Sequence, residues 1–276
     1  MNIDRIVQPA ALPMNIAAAR SQVNQDSSFD DEKLDIYIRA ARKFAETLCN
    51  RTLIATRYRL TLDAFPDEAP PDSEFGPILT LAFGPVLKVV SITYVDTNGD
   101  WQTVDSALYV VDLGSVTRIA LVPGQSWPTA DSRIGAVRVT YDAGDAAAVT
   151  VVAATDVFTI KGGIWATLAV NDVVRLSNSG GVLPSPLLAD TDYYIQSVPS
   201  ATTFKLSETE GGAAIDITDT GTGTHYIGSV PEDVLSWMRL RIGGLYDNAE
   251  DAAVAQSGQM LTLPYVDRLL DGAKLY

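Results

Sequence analysis

The longest helical pattern in the chain spans residues 30–49. Its apolar residues recur three and four positions apart and form a stripe along one side, which predicts a helix of about 30 Å. The stripe consists of Leu34, Ile38, Ala41, Ala45 and Leu48. Asn50 follows it and is one of the few residues besides glycine that tolerate a positive φ, so we expect the helix to end there.

Two further segments have a helical period. Ile16, Ala19 and Val23 predict a short helix near the start of the chain. A third helix is predicted to begin at Pro231, because proline in the first turn followed by acidic residues is a strong start signal. Helices are therefore expected near both ends of the chain.

From residue 53 the apolar period changes to two. Apolar and polar residues alternate over residues 54–62, which is typical of a strand with one buried face. The pair Asn98-Gly99 between two such runs predicts a tight hairpin turn. In this first β region the strands are predicted at residues 53–62, 78–83, 86–95, 101–104, 108–112, 117–122 and 136–141.

Residues 146–229 lack a helical period, and their short apolar runs are separated by turn residues, which predicts a small all-β module. Its strands are predicted at residues 149–152, 156–161, 172–177, 193–198, 203–207 and 214–218, and its junctions at 146–148 and 228–229. The predicted fold class is α+β, a helical bundle with an antiparallel β-sheet, interrupted by this inserted module. The predicted outer domain comprises residues 1–145 and 230–276.

The chain is strongly acidic, with 34 Asp and Glu against 20 Lys and Arg and a net charge of −14. Residues 146–228 contain three basic and eight acidic residues, which leaves 17 and 26 in the remainder. Because both parts are acidic, the composition argues against a protein that grips nucleic acid through a basic surface.

Candidate chemistry is sparse. One cysteine, Cys49, and one histidine, His225, exclude an internal disulfide and zinc sites built from these residue types, while an all-carboxylate cation site stays open on counts alone. Cys49 lies beside the helical stripe and His225 near a strand end, so both are interpreted as structural. The glycine pairs match no phosphate-binding loop. We predict no catalytic residues, no cofactor, no bound metal and no enzymatic activity.

Targeting signals are not expected. Residues 1–19 lack a continuous apolar core, and no run of about 18 apolar residues occurs. The sequence therefore predicts neither a signal peptide nor a transmembrane helix, and folding in a reducing cytoplasm.

A series of short motifs follows in order along the chain. They are Asn50 to Pro66, Val89 to Asp96, Tyr109 to Asp112, Ser126-Trp127-Pro128, Ala136 to Gly144, Val230 to Asp233 and Leu263-Pro264-Tyr265. In this order and spacing they resemble the head–tail connector proteins of tailed double-stranded DNA phages, also called adaptor or head-completion proteins. The resemblance covers residues 12–145 and 230–270. Residues 146–229 depart from it and look like a small β-module inserted in various phage structural proteins.

The resemblance implies a structural virion protein of the phage neck. Members of this family form a ring, typically dodecameric, that docks on the portal, extends the DNA channel and joins the head to the stopper or tail. The implied partners are further copies of the chain, the portal protein and a stopper or tail protein. Double-stranded DNA would pass without sequence-specific binding, since an acidic ring repels it. No membrane is involved, and assembly takes place in the host cytoplasm.

The resemblance also implies contact residues. Because the C-terminal segment of relatives reaches the portal, the candidate portal-binding residues are Leu261, Leu263, Pro264, Tyr265, Leu269 and Leu270. The alternative is that this apolar tail folds back onto the helices of its own chain. On the long helix, Arg39, Arg42 and Lys43 are candidate contacts between subunits, and a solvated helix face is the alternative.

A second hypothesis is a virion module that binds a host surface or a carbohydrate through the β-insert. Its candidate contacts are the aromatic residues Trp165, Tyr193, Tyr194 and Phe204. Alternating core positions account for most of these rings equally well. A hydrolase centred on His225 is a third hypothesis, and the sequence shows no constellation that supports it.

Overall fold

The computed structural model describes residues 2–9, 12–67, 76–114, 116–163, 168–189, 191–228, 230–247 and 264–274. The helices in these ranges are Ile16–Gln22 (α1), Asp31–Cys49 (α2), Glu232–Asp247 (α3) and Pro264–Arg268 (α4). The strands are Asn2–Val7 (β1), Thr56–Leu62 (β2), Ile78–Leu81 (β3), Val86–Val95 (β4), Trp101–Thr103 (β5), Tyr109–Asp112 (β6), Thr117–Leu121 (β7), Val137–Ala143 (β8), Ala146–Val152 (β9), Val157–Gly163 (β10), Val173–Ser179 (β11), Tyr193–Ser200 (β12), Thr203–Ser207 (β13) and Thr224–Gly228 (β14).

The strands form three antiparallel sheets, and one of these closes into a barrel. The first sheet has five strands in the order β1-β2-β8-β4-β5, and the second has three in the order β3-β7-β6. The barrel has the order β10-β13-β12-β11-β14-β9 and contains every described strand between residues 146 and 228. Whether residues 146–229 fold as an independent domain stays a prediction.

The five-stranded sheet packs its inner face against the three-stranded sheet. Leu60, Val139 and Tyr141 from the first sheet share one buried apolar cluster with Leu79 and Ile119 from the second. Apolar residues alternate with polar ones along β2 and β8, so the opposite face of the five-stranded sheet is polar. We call that opposite face the outer face.

Helices α1, α2 and α3 form a separate layer with its own core. Leu34 and Ile38 of α2 are fully buried against Trp237 and Met238 of α3. Leu270, just beyond α4, is buried in the same cluster. Each long helix buries one stripe, as expected for helices at the surface of a protein.

The predicted helical bundle is wrong. Strands account for 35% of the residues and helices for 22%, so the fold is mostly β. The prediction gave too much weight to the strong period of α2 and too little to strands whose partners are distant in sequence. The edge strand β1 is an example: it was not predicted, and it pairs with residues of β2 that lie 50 to 59 positions further along the chain.

Other local predictions have mixed outcomes. The end of α2 is confirmed, because Asn50 adopts a left-handed conformation with a φ of 50° directly after Cys49. The Asn98-Gly99 hairpin is confirmed between β4 and β5. Residues 214–218, predicted as a strand, form none. Residues 146–148, predicted as a junction, are the first residues of β9, and the boundary of the inserted module stays a prediction.

Candidate functional site

His225 and Cys49 occupy structural positions. His225 is buried on β14, where its Nδ1 accepts a hydrogen bond from the side-chain amide of Asn178 and its Nε2 donates to the carbonyl of Thr220, both at 2.9 Å. Cys49 is buried at the end of α2, and burial raises the pKa of its thiol. A thiol that resists ionisation is a poor nucleophile, so neither residue is placed for covalent catalysis.

The described ranges were also considered for metal-binding groups and membrane-spanning helices. Within them, no group of three or more His, Cys, Asp or Glu side chains is placed to hold a metal ion. None of the helices α1 to α4 is long and apolar enough to span a membrane.

Two of the four aromatic residues suggested as carbohydrate contacts lie inside the barrel. Tyr193 and Phe204 are buried, and the ring of Phe204 stacks on that of Phe158 with centroids 5.3 Å apart. Tyr194 is half-buried, and Trp165 lies outside the described residues. Two of the four rings therefore belong to the barrel core.

The outer face of the five-stranded sheet carries a row of charges where it meets the barrel. Arg57 on β2, Asp142 on β8 and Lys88 on β4 lie side by side in the strand register. Asp142 is fully buried and accepts hydrogen bonds from Arg57 at 2.7 and 3.0 Å, while the Nζ of Lys88 lies 3.8 Å from its carboxylate. A buried carboxylate needs such partners to offset its loss of water.

Three side chains of the barrel form hydrogen bonds with this row. The hydroxyl of Tyr226 donates to Asp142 at 2.8 Å, that of Ser179 donates at 3.1 Å, and Lys88 donates to the hydroxyl of Thr224 at 2.6 Å. Burial and the neighbouring carboxylate raise the pKa of Tyr226, so its hydroxyl keeps its proton and remains a donor. We call the row of Arg57, Asp142 and Lys88, with the barrel residues upon it, the closed end of the outer face.

Two other arginines join parts of the chain that are distant in sequence. Arg51, just after α2, donates to Asp145 at 2.7 Å and to the carbonyl of Ala273 at 3.3 Å. Arg175 of the barrel donates to Asp192 at 2.5 Å and to the carbonyl of Leu12 at 3.0 Å. These bonds position the barrel against both the sheet and the helical layer.

A cleft of about 660 Å³ lies between the barrel and the helical layer, beside residues 53–55 that lead into β2. Its walls include Met14 and Leu235 from the helical layer and the Arg175–Asp192 pair from the barrel. Asn15 also donates a hydrogen bond to Asp192 across the cleft. Because this central pair is already satisfied within the chain, the cleft is an internal seam rather than a charged ligand site.

Helix α2 carries a second apolar row that is partly exposed, although its Phe44 also stacks on Trp237 of α3 with ring centroids 5.8 Å apart. Ile36, Ala40, Phe44 and Leu48 are spaced four residues apart, and the larger three are 57%, 43% and 40% exposed respectively. The row extends over about 18 Å of helix. Contiguous exposed apolar surface of this kind marks sites of protein contact. We call these four residues the α2 row.

The three cations predicted as subunit contacts are placed differently. Arg39 and Lys43 are exposed and adjoin the α2 row in sequence, and Arg39 pairs with Asp35 at 2.8 Å. Arg42 is buried, with its Nε 3.9 Å from the carboxylate of Glu46, and burial lowers its pKa. Two of the three therefore lie at the surface, and their contact with another subunit stays a prediction.

The predicted portal-binding residues are only partly described. Leu261 and Leu263 lie outside the described residues, as do the side chains of Pro264 and Tyr265. Leu270 is fully buried against the helical layer, and Leu269 packs partly against it. For these last two residues the packing corresponds to the fold-back alternative, and docking of the tail on a portal stays a prediction.

Sequence reasoning missed both the α2 row and the closed end. The expectation that Leu48 belongs to the buried stripe is wrong, although a spacing of four from Ile36 was visible in the sequence. No local sequence pattern indicates the closed end. Asp142 finds its partners at positions 57, 88, 179 and 226, and only the fold brings these together.

Comparison with solved structures identifies chains that share this fold. One comes from the virion of a native gene transfer agent (GTA) particle, with a TM-score of 0.55 and 16% identity. Two others come from the neck of an empty GTA particle, computed with C6 symmetry, and the neck of a native GTA particle, computed with C12 symmetry, each with a TM-score of 0.52 and 17% identity. All three comparisons cover 100% of this chain and 96% of the other. No family model and no curated protein matches the sequence.

Proposed function

We propose that the chain is a structural protein of the neck of a tailed phage or phage-like particle, where it forms an adaptor ring. The observation that carries the proposal is the likeness of its fold, over the whole chain, to chains of a GTA virion and its neck. The C12 symmetry of one of those necks accords with the dodecamer implied by the sequence resemblance. A structural role also accords with the hydrogen-bonded position of His225.

The ring would dock on a portal protein, extend the DNA channel and join the head to a stopper or tail. The α2 row, flanked by Arg39 and Lys43, is an exposed apolar surface suited to protein contact. The net charge of −14 suits a wall along which DNA slides without adhering. The first part of the apolar tail, with Leu261, Leu263, Pro264 and Tyr265, supplies the proposed contact with the portal, since Leu270 is buried in the helical layer.

Electron microscopy of the purified full chain mixed with the portal protein of the same particle tests the proposal. We expect a symmetric ring stacked on the portal. Particles of portal alone, with the chain remaining monomeric beside them, would overturn the adaptor function.

The tail contact needs a milder change than truncation, because Leu270 and Ala273 belong to the buried core of the helical layer. We expect Leu261→Ser with Leu263→Ser to abolish attachment to the portal while the chain stays folded. The matched control is Val110→Ser with Ile134→Ser, which removes two exposed apolar side chains from other parts of the surface. Attachment by the tail variant at the level of the control would remove the tail from the proposal.

A further inference from the structure

The outer face of the five-stranded sheet has a second polar region, away from the barrel. It forms a shallow pocket of about 250 Å³ lined by Arg59, Ser91, Thr93, Trp101, Arg138 and Thr140. The register places Arg59, Thr140 and Ser91 in one row, and Arg138 and Thr93 in the next. We call these six residues the open end of the outer face.

The two arginines of the open end have no carboxylate partner among the described residues. Asp4 lies opposite Arg59 in the register, but it accepts a hydrogen bond from Asn2 at 2.9 Å and forms no ion pair with Arg59. The guanidinium of Arg138 lies 4.1 Å from the centroid of the Trp101 ring, a cation–π contact that leaves its hydrogen-bond donors unused. Two arginines that form no described ion pair thus lie together on a strongly acidic chain.

The chemistry of the open end suits carboxylates. A guanidinium binds a carboxylate through two parallel hydrogen bonds, and the hydroxyls of Ser91, Thr93 and Thr140 add further donors. Trp and Arg are also the residue types most enriched at the energetic centres of protein interfaces. These features indicate acidic side chains of a protein surface as the ligand.

The barrel of the same chain carries a complementary surface. No lysine or arginine occurs between Lys205 and Arg239, and the connection from β13 to β14 contains Glu208, Glu210, Asp216 and Asp219. Among the described residues, the first three of these acids form no ion pair and accept no side-chain hydrogen bond. We call residues 208–219 the acidic loop. No ion pair joins the acidic loop to the open end within one chain.

We propose that the open end binds the acidic loop of a second copy of this chain. The inference rests on the proposed function, because a ring sets identical copies side by side. Two different surfaces of one chain that meet head to tail generate a closed ring. A contact made by exposed charges is weakened by salt, which gives it a recognisable signature.

A charge swap tests the contact in the full-length chain. One variant carries Arg59→Glu and Arg138→Glu, and the other carries Glu208→Lys and Glu210→Lys. Self-association is measured by sedimentation velocity at about 50 and about 500 mM NaCl. We expect each variant alone to associate about tenfold or more weakly than the wild type, and an equimolar mixture to recover wild-type association. Recovery follows because alternating copies in a ring with an even number of subunits again pair opposite charges.

The control is Arg118→Glu with Arg133→Glu, which makes the same change in net charge at two exposed positions, whereas Arg59 and Arg138 are half-buried. Association of the open-end variant at the level of this control, or no salt-sensitive association of the wild type, would overturn the inference. A 30-base-pair DNA duplex is the second probe. Salt-sensitive binding of that duplex, lost in the open-end variant while self-association is unchanged, would assign the open end to DNA and overturn the proposed partner.

Different results would contradict the adaptor function and the contact between copies. Rings on the portal formed equally by wild type and open-end variant would contradict the contact alone. Charge-swap behaviour in solution without any ring on the portal would contradict the adaptor function alone.

Discussion

The two ends of the outer face of the five-stranded sheet both carry basic side chains, but only those of the closed end have a carboxylate partner among the described residues. At the closed end, Arg57 and Lys88 share the buried carboxylate of Asp142, and barrel side chains form hydrogen bonds with Asp142 and Lys88. Arg59 follows Arg57 by two residues, about 7 Å along β2, and belongs to the open end, where no described carboxylate pairs with it. The charges of the closed end are paired within the chain, whereas the arginines of the open end remain available for a partner.

Because of this difference, we expect the closed end to stabilise the fold and the open end to serve association between chains. Substitutions at the closed end leave buried charges without partners, so they are expected to lower the free energy of unfolding. Substitutions at the open end remove half-buried charges that form no described ion pair, so they are expected to affect association and leave the fold intact. The two ends therefore predict opposite outcomes for the same kind of change.

Asp142→Ala is expected to have the largest effect. It leaves the guanidinium of Arg57 and the hydroxyl of Tyr226 without their acceptor in a buried place. Removing one partner of a buried ion pair costs about 3–5 kcal/mol, which urea unfolding of the variant and the wild type would measure.

The control for Asp142→Ala is Asp112→Ala, which removes an exposed ion pair with Arg118. An exposed pair contributes about 0–1 kcal/mol. Equal losses in the two variants would show that the closed end does not hold the barrel to the sheet.

Gly144→Ala is expected to have the next largest effect. Gly144 lies where the chain leaves β8 for the barrel, and a Cβ atom there would stand 2.5 Å from the Cα of Ala55 and 2.9 Å from the carbonyl carbon of Ile54. Because both neighbours are backbone, they cannot move aside as a side chain would. Overpacking of this kind costs about 1–3 kcal/mol or more in the free energy of unfolding.

Gly244→Ala in α3 is the matched control, since a methyl group there meets no atom of the described residues within 4 Å. Replacing a glycine inside a helix stabilises it by up to about 1 kcal/mol. Thermal unfolding of the two variants should therefore shift in opposite directions. A shift of the same sign would contradict the close approach at Gly144.

Local elements were predictable where one stretch of chain contains the whole signal. The apolar period of α2 and the positive φ of Asn50 both come from adjacent residues, and both were predicted. The polar alternation of β2 was also predicted, and with it a half-buried sheet. Features that depend on long-range pairing were not predicted. Strand β1 depends on β2, and the closed end depends on residues up to 169 positions apart, from Arg57 to Tyr226.

The exposed surfaces show a second limit of sequence reasoning. A helical stripe tells which residues can share a face, but a helix with two apolar rows does not reveal which row is buried. Ile38 is buried and Ile36 is exposed, although their side chains are chemically identical. Only the packing of α3 against one side of α2 decides between them.

The response to pH should also distinguish buried from exposed carboxylates. Burial raises the pKa of Asp145 against the pull of Arg51, whereas the backbone N–H groups of Ser185 and Gly221 lower the pKa of Asp219. Relative to Asp145→Asn, the wild type should therefore lose stability as pH rises from about 3.9, the unfolded pKa, through the higher folded value.

For Asp219 the sign is opposite. Its contribution relative to Asp219→Asn should be present above about 3.9 and should disappear as pH falls through the lower folded pKa. Urea unfolding of the wild type and both variants between about pH 3 and 7 would measure these slopes. Parallel curves for the two variants would contradict the contrast between the buried and the exposed carboxylate.

The smallest change in stability is expected at the open end. Arg59→Gln with Arg138→Gln removes two cations that form no described ion pair and one cation–π contact with Trp101, so the free energy of unfolding should fall by about 1 kcal/mol or less. Arg57→Gln makes the same chemical change at the closed end and deprives buried Asp142 of its two shortest nitrogen donors, at a cost of about 1–3 kcal/mol. If urea unfolding ranked these variants in the reverse order, the open end would be a structural element of the monomer. Its arginines would then be required for folding, and a loss of self-association in their variants would say nothing about a neighbouring copy.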